Sequence, residues 1–506
     1  MPRLGEIVDA TLEISINNQT TVILVSLVLY KLLLIGIGFW ASRRVQTADD
    51  FLLGGRNLGP WVAGLSYAAS TSSAWVLLGF SGFTFAYGVS ALWMLPGIWG
   101  GYVVMWLWFG PRIRGESAAR QYVTPTEFIS ANVDGPARAK IAALAAVLIT
   151  FCFIFYIAAQ FDAAANAFVA NFNMNSTSSL LLGAGIILLY CLLGGFWAAS
   201  ITDTLQGVVM MLAAIIVPVL AVVEAGGFSE IVRTVGASHP ALLDRSGGHA
   251  GFAFIGFALG LSGIGLGTLG QPHLLARLMA VRGERERKQG FAIAMTWAVV
   301  VYLGMASLAM AARSLAVAPG TGEQIFYVMA EQLLPPLLAG IVIAAILSAV
   351  MSTVDSLLLA AAAAIAHDLG LTNRLRMSEL TLSRIVMTSL VLAAVTLALT
   401  LPDTIFNRVL FAWNALGAAF GPVIIARILN REPVASARIW SILTGFGLTV
   451  LFYTYGTIDV ADTSNVLSSW LSTLAHLPGD PFERVLPFVP PLVIVLMAAQ
   501  VKPRSV

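Results

Sequence analysis

A short stretch of the chain places hydroxyl groups and a carboxylate inside an otherwise apolar segment. Residues 336–365 are almost entirely hydrophobic, yet they contain Ser352, Thr353, Asp355 and Ser356. A charge at mid-membrane depth costs roughly 2.5–3.5 kcal/mol on insertion scales, so a segment that keeps one is expected to hold a partner or an ion for it. The stretch therefore indicates ion-coupled transport rather than an inert membrane scaffold.

The spacing within this stretch predicts a binding face for a hard cation. Ala349, Ser352, Thr353 and Ser356 lie at i, i+3, i+4 and i+7, so they share one helical face that Asp355 flanks. Carbonyl, hydroxyl and carboxylate oxygens are the ligands that hard cations such as sodium prefer. The same spacing also fits hydroxyls that bond carbonyls one turn back and join membrane helices, and it leaves both interpretations open.

Two further segments are predicted to contain interrupted helices. Residues 65–75 include four consecutive hydroxyl residues, Ser70–Ser73, which compete with the helix for backbone hydrogen bonds. Residues 260–272 include five glycines, each of which weakens a helix by about 1 kcal/mol, and end at a proline. Matched breaks five segments apart indicate an inverted five-plus-five repeat with a binding site near the midplane. Close packing through small residues is the alternative.

Asp203 has two interpretations from the sequence alone. It stands at the start of the apolar segment 203–224, where an aspartate caps backbone amides and favours the positive end of the helix dipole. A helix start at membrane depth would instead make it a ligand of a second cation site or a proton relay.

The composition identifies lipid as the main solvent of this chain. It is 58% hydrophobic and 11% charged, whereas soluble domains carry about 25% charged residues. We predict an all-α membrane protein, one transmembrane domain over residues 1–506, because an open sheet would leave backbone groups unpaired in lipid. About thirteen segments are long enough to span: 21–41, 61–87, 90–110, 140–169, 178–198, 203–224, 251–271, 289–313, 336–365, 381–401, 405–428, 437–457 and 484–501.

The basic residues predict how the chain lies in the membrane. Most of the 28 Lys and Arg residues fall in the loops that follow the odd-numbered spans, with a dense run at 282–288. The positive-inside rule makes that side cytoplasmic, with the N-terminus outside and the C-terminus inside the cytoplasmic membrane. Cys152 and Cys191 lie in apolar segments and indicate no disulfide framework.

Several motifs together resemble one family of transporters. In chain order they are residues 51–60 (FLLGGRNLGP), 194–196 (GGF), 202–206 (TDTLQ), 270–280 (GQPHLLARLMA), 349–353 (AVMST) and 417–422 (GAAFGP). They resemble the sodium:solute symporter family, most of all its sodium/proline symporter branch, over roughly residues 30–430.

The resemblance implies a fold and an ion site. It implies a LeuT-like core of about residues 61–430, with one extra helix at 21–41 and two at 437–457 and 484–501, and sodium as the co-transported ion. The family's sodium site maps to carbonyls and hydroxyls of Ala69, Ser72, Ala349, Ser352 and Thr353. A second site of some relatives, for sodium or a proton, maps to Ser352, Asp203, Asp355 and Ser356.

The resemblance also implies a substrate pocket between the broken helices. Its expected residues are Thr71, Ser73, Tyr156, Gln160, Ile264, Thr268 and Pro272. Proline symporters carry an aspartate at the position of Thr71, and a tryptophan and a tyrosine at those of Ile264 and Thr268. The chain therefore keeps the expected sodium ligands and departs from the branch in the pocket.

We predict sodium-coupled uptake of a small organic solute, with proline or a related amino acid or compatible solute as the first candidate. The alternatives are a symporter-like membrane sensor and a sodium symporter for an unrelated solute such as a carboxylate or a sugar. A channel would need a filter sequence, and none is found. An enzyme is not expected, because the histidines lack ligand spacing: His239, His249, His273, His367 and His476. No nucleic-acid partner is expected, and the oligomeric state is left open.

Overall fold

A computed structural model describes residues 52–172, 174–192, 195–401, 403–457 and 466–501, with a few positions between 25 and 40. These residues are almost entirely helical, so the all-α prediction is confirmed. The α-helices are α1 (Pro60–Ala74), α2 (Ser81–Tyr87), α3 (Met94–Val103), α4 (Gly110–Arg120), α5 (Pro125–Ile129), α6 (Gly135–Phe172), α7 (Ser176–Cys191), α8 (Phe196–Glu224), α9 (Phe228–Ser238), α10 (Gly251–Gly267), α11 (Pro272–Ala280), α12 (Glu284–Ser314), α13 (Ile325–Leu333), α14 (Pro336–Ala363), α15 (Leu371–Leu375), α16 (Glu379–Thr400), α17 (Ile405–Ile428), α18 (Ala435–Thr457), α19 (Val466–Ala475), α20 (Pro481–Arg484) and α21 (Val489–Met497).

Shorter elements join or extend these helices. Two short strands, β1 (Arg431–Pro433) and β2 (Ala499–Val501), pair antiparallel. Wider π-helical turns continue three of the helices, and 3₁₀ turns lie between others. The π turns are Trp75–Phe80, Val104–Phe109 and Ala364–Asp368; the 3₁₀ turns are Gly54–Arg56, Gly88–Trp93, Pro240–Leu243, Thr268–Gly270, Gly322–Gln324 and Leu486–Phe488.

Nine helical runs in the described chain are long and apolar enough to cross a membrane. The first, Pro60–Arg120, contains two predicted segments, 61–87 and 90–110, so the nine runs include ten of the thirteen predicted spans. The segment predicted at 178–198 appears as the shorter α7, and the one at 21–41 is described only in part, with a short apolar helix at Val28–Ile37. The count of thirteen therefore stays a prediction.

The segment predicted as a span at 484–501 is shorter and less regular in the structure, and its crossing of the membrane stays a prediction. Within the described residues this segment has only the nine-residue helix α21, preceded by a 3₁₀ turn that contains Pro487. It ends in β2, whose residues pair with β1. Hydropathy alone cannot register this, because prolines and a tertiary strand pairing interrupt an apolar run without making it more polar.

The first broken helix is interrupted at Ser73. This residue has φ 52° and ψ −167°, far from helical values, while α1 before it and the π turn after it are regular. A positive φ is costly for a residue with a Cβ and persists where its surroundings hold it in place. The predicted interruption in residues 65–75 therefore occurs, at the last of the four hydroxyl residues.

The second broken helix is interrupted after the first four of its five glycines, and Gly270 lies within the interruption. Helix α10 stays helical through Gly267; the chain then forms a 3₁₀ turn and an extended Gln271 before Pro272 begins α11. The glycines serve packing, since a Cβ on Gly265 would lie 2.0 Å from the carbonyl oxygen of Gly97 on α3. Both interpretations of this segment therefore hold, each for a different part of it.

Helices α1 and α11, each one half of a broken helix, lie side by side. The Leu58 amide, just before α1, donates to the Ala280 carbonyl at the end of α11 with an N···O distance of 3.1 Å. The Arg282 amide donates back to the Leu58 carbonyl, also at 3.1 Å. Helices α8 and α14 both pack against α1, so the polar residues of these helices meet in the protein interior.

Candidate ion and substrate sites

Side chains support the break in α1. The Ala74 amide, freed by the break, donates to Gln160 Oε1 of α6 at 3.2 Å, and the Trp75 amide donates to Ser73 Oγ at 3.0 Å. Gln160 was predicted to contact substrate. The structure places it, fully buried, as the acceptor that satisfies the broken backbone, in line with the rule that buried amides find partners.

The residues expected to bind sodium come together as two facing strips. Ala69 and Ser72 lie on α1 just before the break, while Ala349, Ser352 and Thr353 lie on α14, and all five are fully buried. Ser70 Oγ, next to Ala69, lies 3.3 Å from Ser352 Oγ, so the two strips are in contact without lipid between them.

Two hydroxyls in these strips, those of Ser72 and Thr353, have no hydrogen-bond partner among the described residues. Ser348 and Ser356 donate to carbonyls one turn back on α14, at 2.6 Å and 2.7 Å. Thr353 Oγ1 is buried with no partner in the described part of the chain. Ser352 Oγ contacts Ser70 Oγ and lies beside Asp203, and no hydrogen bond from it to its own helix is found among the described residues. The interpretation of Ser352 and Thr353 as hydroxyls bonded to their own helix therefore does not describe this structure.

A charged cluster lies beside the two strips of residues that are expected to bind sodium. Asp203 of α8 and Arg277 of α11 form a buried ion pair, with Nη2 donating to Asp203 Oδ2 at 2.7 Å. The same Nη2 lies 2.7 Å from Ser70 Oγ and 2.5 Å from Ser356 Oγ, and Arg277 Nε donates to Ser66 Oγ at 2.8 Å. One guanidinium thus connects α1, α8, α11 and α14.

The helix-capping interpretation of Asp203 is wrong. Helix α8 begins at Phe196 with Gly195 as its N-cap, so Asp203 lies two turns inside the helix. Its side chain is fully buried, and Ser66 Oγ donates to its Oδ2 at 2.9 Å. The predicted start was too late because residues 196–198 were assigned to the preceding span, 178–198, whereas the structure places them in α8.

Arg277 was not predicted as a site residue, because the sequence placed it among the loop charges. The structure buries it, with 2% of its surface exposed, on a helix whose residues Pro272–Ala280 are all buried. Its apolar neighbours His273–Leu275 and Leu278–Ala280 were the available signal, since a loop arginine is seldom flanked by apolar residues on both sides.

Asp355 lies within electrostatic range of the ion pair but outside its hydrogen bonds. It is 2% exposed on α14, and its Oδ1 has no hydrogen-bond partner among the described residues. Cys191, at the end of α7, lies next to it. Of the predicted second-site residues, Asp203 and Ser356 therefore bond Arg277, whereas Asp355 does not.

A cavity flanks the break in α1 and receives four of the predicted substrate residues. It encloses about 350 Å³ of space not filled by atoms. The predicted residues in its wall are Thr71, Tyr156, Ile264 and Thr268. Those that the sequence missed are Trp75, Ile98, Tyr302, Val409, Leu410 and Trp413. Three helices (α3, α12 and α17) and the π turn after α1 supply these missed residues, so no local spacing could reveal them.

Pro272 lines a different cavity, of about 540 Å³. This cavity reaches Arg277 and Ser356 at one end and Thr124 and Asp368 at the other. There, Thr124 Oγ1 donates to Asp368 Oδ1 at 2.6 Å and closes α5 onto the end of α14. The cavity runs from the charged cluster toward the loop that precedes α6.

The other side of the substrate cavity is closed by aromatic rings and an ion pair. Trp75 stacks on Phe406 with ring centroids 5.5 Å apart. Buried Arg408, next to Val409 in the cavity wall, pairs with Asp162 of α6 and also donates to the Leu401 carbonyl. Neither Asp162 nor Arg408 was predicted as a site residue.

Comparison with known proteins places this architecture in a family. The model of the sodium:solute symporter family matches residues 51–445. The osmoregulated proline transporter OpuE of Bacillus subtilis is 30% identical, covering 86% of this chain and 89% of that protein. The sodium/proline symporter of Escherichia coli K12 is 32% identical, covering 92% of each.

Solved structures of other transporters share the fold. A sodium-coupled sialic acid symporter in its substrate-bound outward-open state has a TM-score of 0.72, with 15% identity over 95% of this chain and 99% of that one. Mhp1, a nucleobase-cation-symport-1 family transporter, has a TM-score of 0.52, with 10% identity over 91% of this chain and 98% of that one. The LeuT-like fold expected from the sequence is therefore confirmed.

Proposed function

The chain belongs to the sodium:solute symporter family, and on that premise we propose which of its residues bind the coupling ion and the solute. It is an integral membrane protein that takes up a small organic solute together with sodium. Its relatives are transporters, not enzymes.

We propose that sodium binds between α1 and α14, at the carbonyls of Ala69, Ser72 and Ala349 and the hydroxyls of Ser352 and Thr353. The observation that carries this site is the buried Thr353 hydroxyl without a hydrogen-bond partner. Leaving a buried polar group unpaired costs about 1–3 kcal/mol, which a bound cation would offset. The non-helical Ser73 supplies the second support, because a broken helix exposes backbone oxygens that an intact one uses internally.

The ion site and the solute cavity share one short stretch of backbone. Ala69 and Ser72 belong to the ion site, while Thr71 and Trp75 line the cavity. Sodium that orders residues 69–72 would therefore also set the wall that the solute meets. Each sodium that enters contributes about 2.3 kcal/mol per 100 mV of membrane potential, and this shared stretch is how that energy would reach the solute.

The charged cluster has a separate role in this proposal. A second cation site was predicted at Asp203, Asp355 and Ser356. Arg277 already contacts the side-chain oxygens of Asp203 and Ser356, so they are less available to a cation. We propose that Arg277, on α11, holds helices α1, α8 and α14 together through these hydrogen bonds. Asp355, with an unpaired Oδ1, remains the candidate for binding a second cation or a proton.

Proline is the first solute to test, because the relatives named above transport it, and a carboxylate or a sugar is the alternative. The arrangement of basic loops supports a cytoplasmic membrane location with the N-terminus outside and the C-terminus in the cytoplasm.

Uptake into proteoliposomes tests the proposal. We expect labelled proline to accumulate when an inward sodium gradient is imposed and not when potassium replaces sodium. Thr353→Ala should raise the sodium concentration for half-maximal uptake by about tenfold or more, since a ligand contact with a charged group is worth about 1.5–3 kcal/mol. Sodium activation that is the same in wild type and variant would contradict the site.

A further inference from the structure

The wall of the solute cavity is aromatic and carries no formal charge. Two ring pairs line it: Trp75 with Tyr302, whose centroids lie 6.5 Å apart, and Tyr156 with Trp413, 6.3 Å apart at an interplanar angle of 77°. No acidic or basic side chain lines this cavity in the part of the chain that the structure describes. A positive charge held here would meet ring faces, which attract cations through their quadrupoles.

Charged residues behind the wall do not add a net charge to the cavity. Asp162 and Arg408 lie beyond the cavity wall and are engaged with each other. A solute ammonium that enters the cavity therefore has no carboxylate to pair with. This differs from a site that recognises an amine through an acidic side chain.

The hydrogen-bond acceptors in the wall are few and neutral. Thr71 Oγ1 already donates to the Tyr67 carbonyl at 2.6 Å, which leaves only its lone pairs. The Tyr156 hydroxyl has no partner among the described residues, and Thr268 adds another hydroxyl. An ammonium with several N–H bonds would exchange water for these weaker partners. A quaternary ammonium has no N–H to satisfy and spreads its charge over its methyl groups.

The other end of a zwitterion finds favourable charge at the break. The helix that restarts after Ser73 has its N-terminus beside Thr71 and Trp75, both in the cavity wall. The Ala74 and Trp75 amides already donate to Gln160 Oε1 and Ser73 Oγ, so the helix dipole, and not these two amides, supplies the positive charge. Helix N-termini carry partial positive charge and attract anionic groups of substrates in broken-helix transporters. The sodium proposed next to this stretch adds to the same field.

We infer that quaternary ammonium carboxylates, the fully N-methylated amino acids, are transported substrates of this chain. The carboxylate lies at the break in α1, and the ammonium lies among Trp75, Tyr302, Tyr156 and Trp413. This inference rests on the proposed function, because it assigns a solute class to the same sodium-coupled site.

Competition and uptake with wild-type protein in proteoliposomes test it first. Labelled glycine betaine should accumulate with an inward sodium gradient, and unlabelled betaine should inhibit uptake of labelled proline. The matched control is 3,3-dimethylbutanoate, which has the same shape with carbon in place of the charged nitrogen. It should inhibit at least about tenfold more weakly, because it lacks the cation that the rings attract.

A pair of variants at one ring then tests the recognition. Tyr302→Leu removes a ring face and should weaken half-maximal betaine uptake by about tenfold or more, whereas Tyr302→Phe keeps the face and should stay within about threefold of wild type. Equal unfolding temperatures for the two variants establish that both are folded, and the wild-type competition assay does not depend on either.

The outcomes separate the two proposals. Sodium-dependent proline uptake that betaine does not inhibit, even in large excess, overturns the inference and leaves the proposed function standing. Equal inhibition by betaine and 3,3-dimethylbutanoate also overturns it. Absence of sodium-dependent uptake of either labelled solute overturns both.

Discussion

Two polar regions lie side by side on α1 and α14, and they are built in opposite ways. The hydroxyl strip of Ser352 and Thr353 has no formal charge and contains a buried oxygen with no partner. The charged cluster around Arg277 pairs its guanidinium with Asp203 and with three serine hydroxyls. Ser70 touches both regions.

This difference indicates which of the two regions is available to bind an ion. Free oxygen ligands without a resident cation are suited to bind and release sodium, because ion binding there satisfies groups that are otherwise unpaired. A buried pair that is already neutralised gains little from an added cation and loses much when one partner is removed. The neutral strip therefore fits coupling, and the charged cluster fits mechanical connection of helices.

The largest expected effect comes from breaking the charged cluster. Asp203→Asn or Arg277→Gln alone should lower the free energy of unfolding by about 3–5 kcal/mol, because each leaves one buried charge unpaired. The double variant should recover much of that loss, since it buries no charge. Denaturant unfolding of the detergent-purified protein measures this. Single variants as stable as wild type would show that the pair is not formed.

The neutral strip should respond differently. Thr353→Val keeps the shape of the side chain without its hydroxyl, so it should weaken sodium activation by about tenfold with little effect on unfolding. Ser348→Ala, one turn away, removes a hydroxyl that is engaged with the Ala344 carbonyl and serves as the matched control. Sodium titrations of uptake compare the two. If both variants shift the titration equally, the free Thr353 hydroxyl has no special role.

The support of the helix break should give a smaller effect. Gln160→Met removes the acceptor for the Ala74 amide, at a cost of about 1–3 kcal/mol for an unpaired buried group. We expect solute affinity to fall several-fold, since the cavity adjoins the break, while sodium activation changes less. Gln160→Glu, protonated when buried, keeps a carbonyl oxygen and should restore affinity. Loss of sodium activation without loss of solute affinity would assign Gln160 to the ion site instead.

The smallest effect is expected outside the membrane, at Glu127 of α5. Burial raises its pKa, but His367 and the amides of Val123 and Thr124 outweigh burial and hold that pKa below its ordinary value of 4.5. Ionised Glu127 therefore stabilises the folded state above pH 4.5, and this contribution is lost as the pH falls through its lowered pKa.

Glu127→Gln should remove that part of the acid sensitivity. We expect wild type to unfold a few degrees higher than the variant at neutral pH. This difference in unfolding temperature should disappear as the pH falls below 4.5. Parallel curves over the whole range would contradict the role of the carboxylate.

Helical periodicity explains how much of the site could be predicted. The face formed by Ala349, Ser352 and Thr353 follows from spacing on one helix, and four hydroxyl residues in a row mark the strip where α1 is interrupted. The position of the second break was less predictable, because glycines that allow close helix contact and glycines that end a helix look alike in a sequence. Only the tertiary structure shows that Gly265 packs against Gly97 within the helix, while Gly270 packs against Leu416 in the break.

Other features had a weak local signal or none. Arg277 follows the same charge pattern as a loop residue until α11 is seen to be buried on all its residues. The rings of Trp75, Tyr302 and Trp413 come from distant parts of the chain and meet only in the folded bundle. Pro272, predicted in the solute pocket, lines the other cavity because α11 turns away at the break.

Hydropathy and a 3.6-residue period are properties of single segments, so the sequence alone was enough to predict a helical protein in lipid with hydroxyl groups on one face of α14. The tertiary structure decided which polar groups are paired and which are free. That distinction depends on what the neighbouring helix presents, and so only the folded bundle sets Thr353 apart from Ser356, and Arg277 apart from the loop arginines.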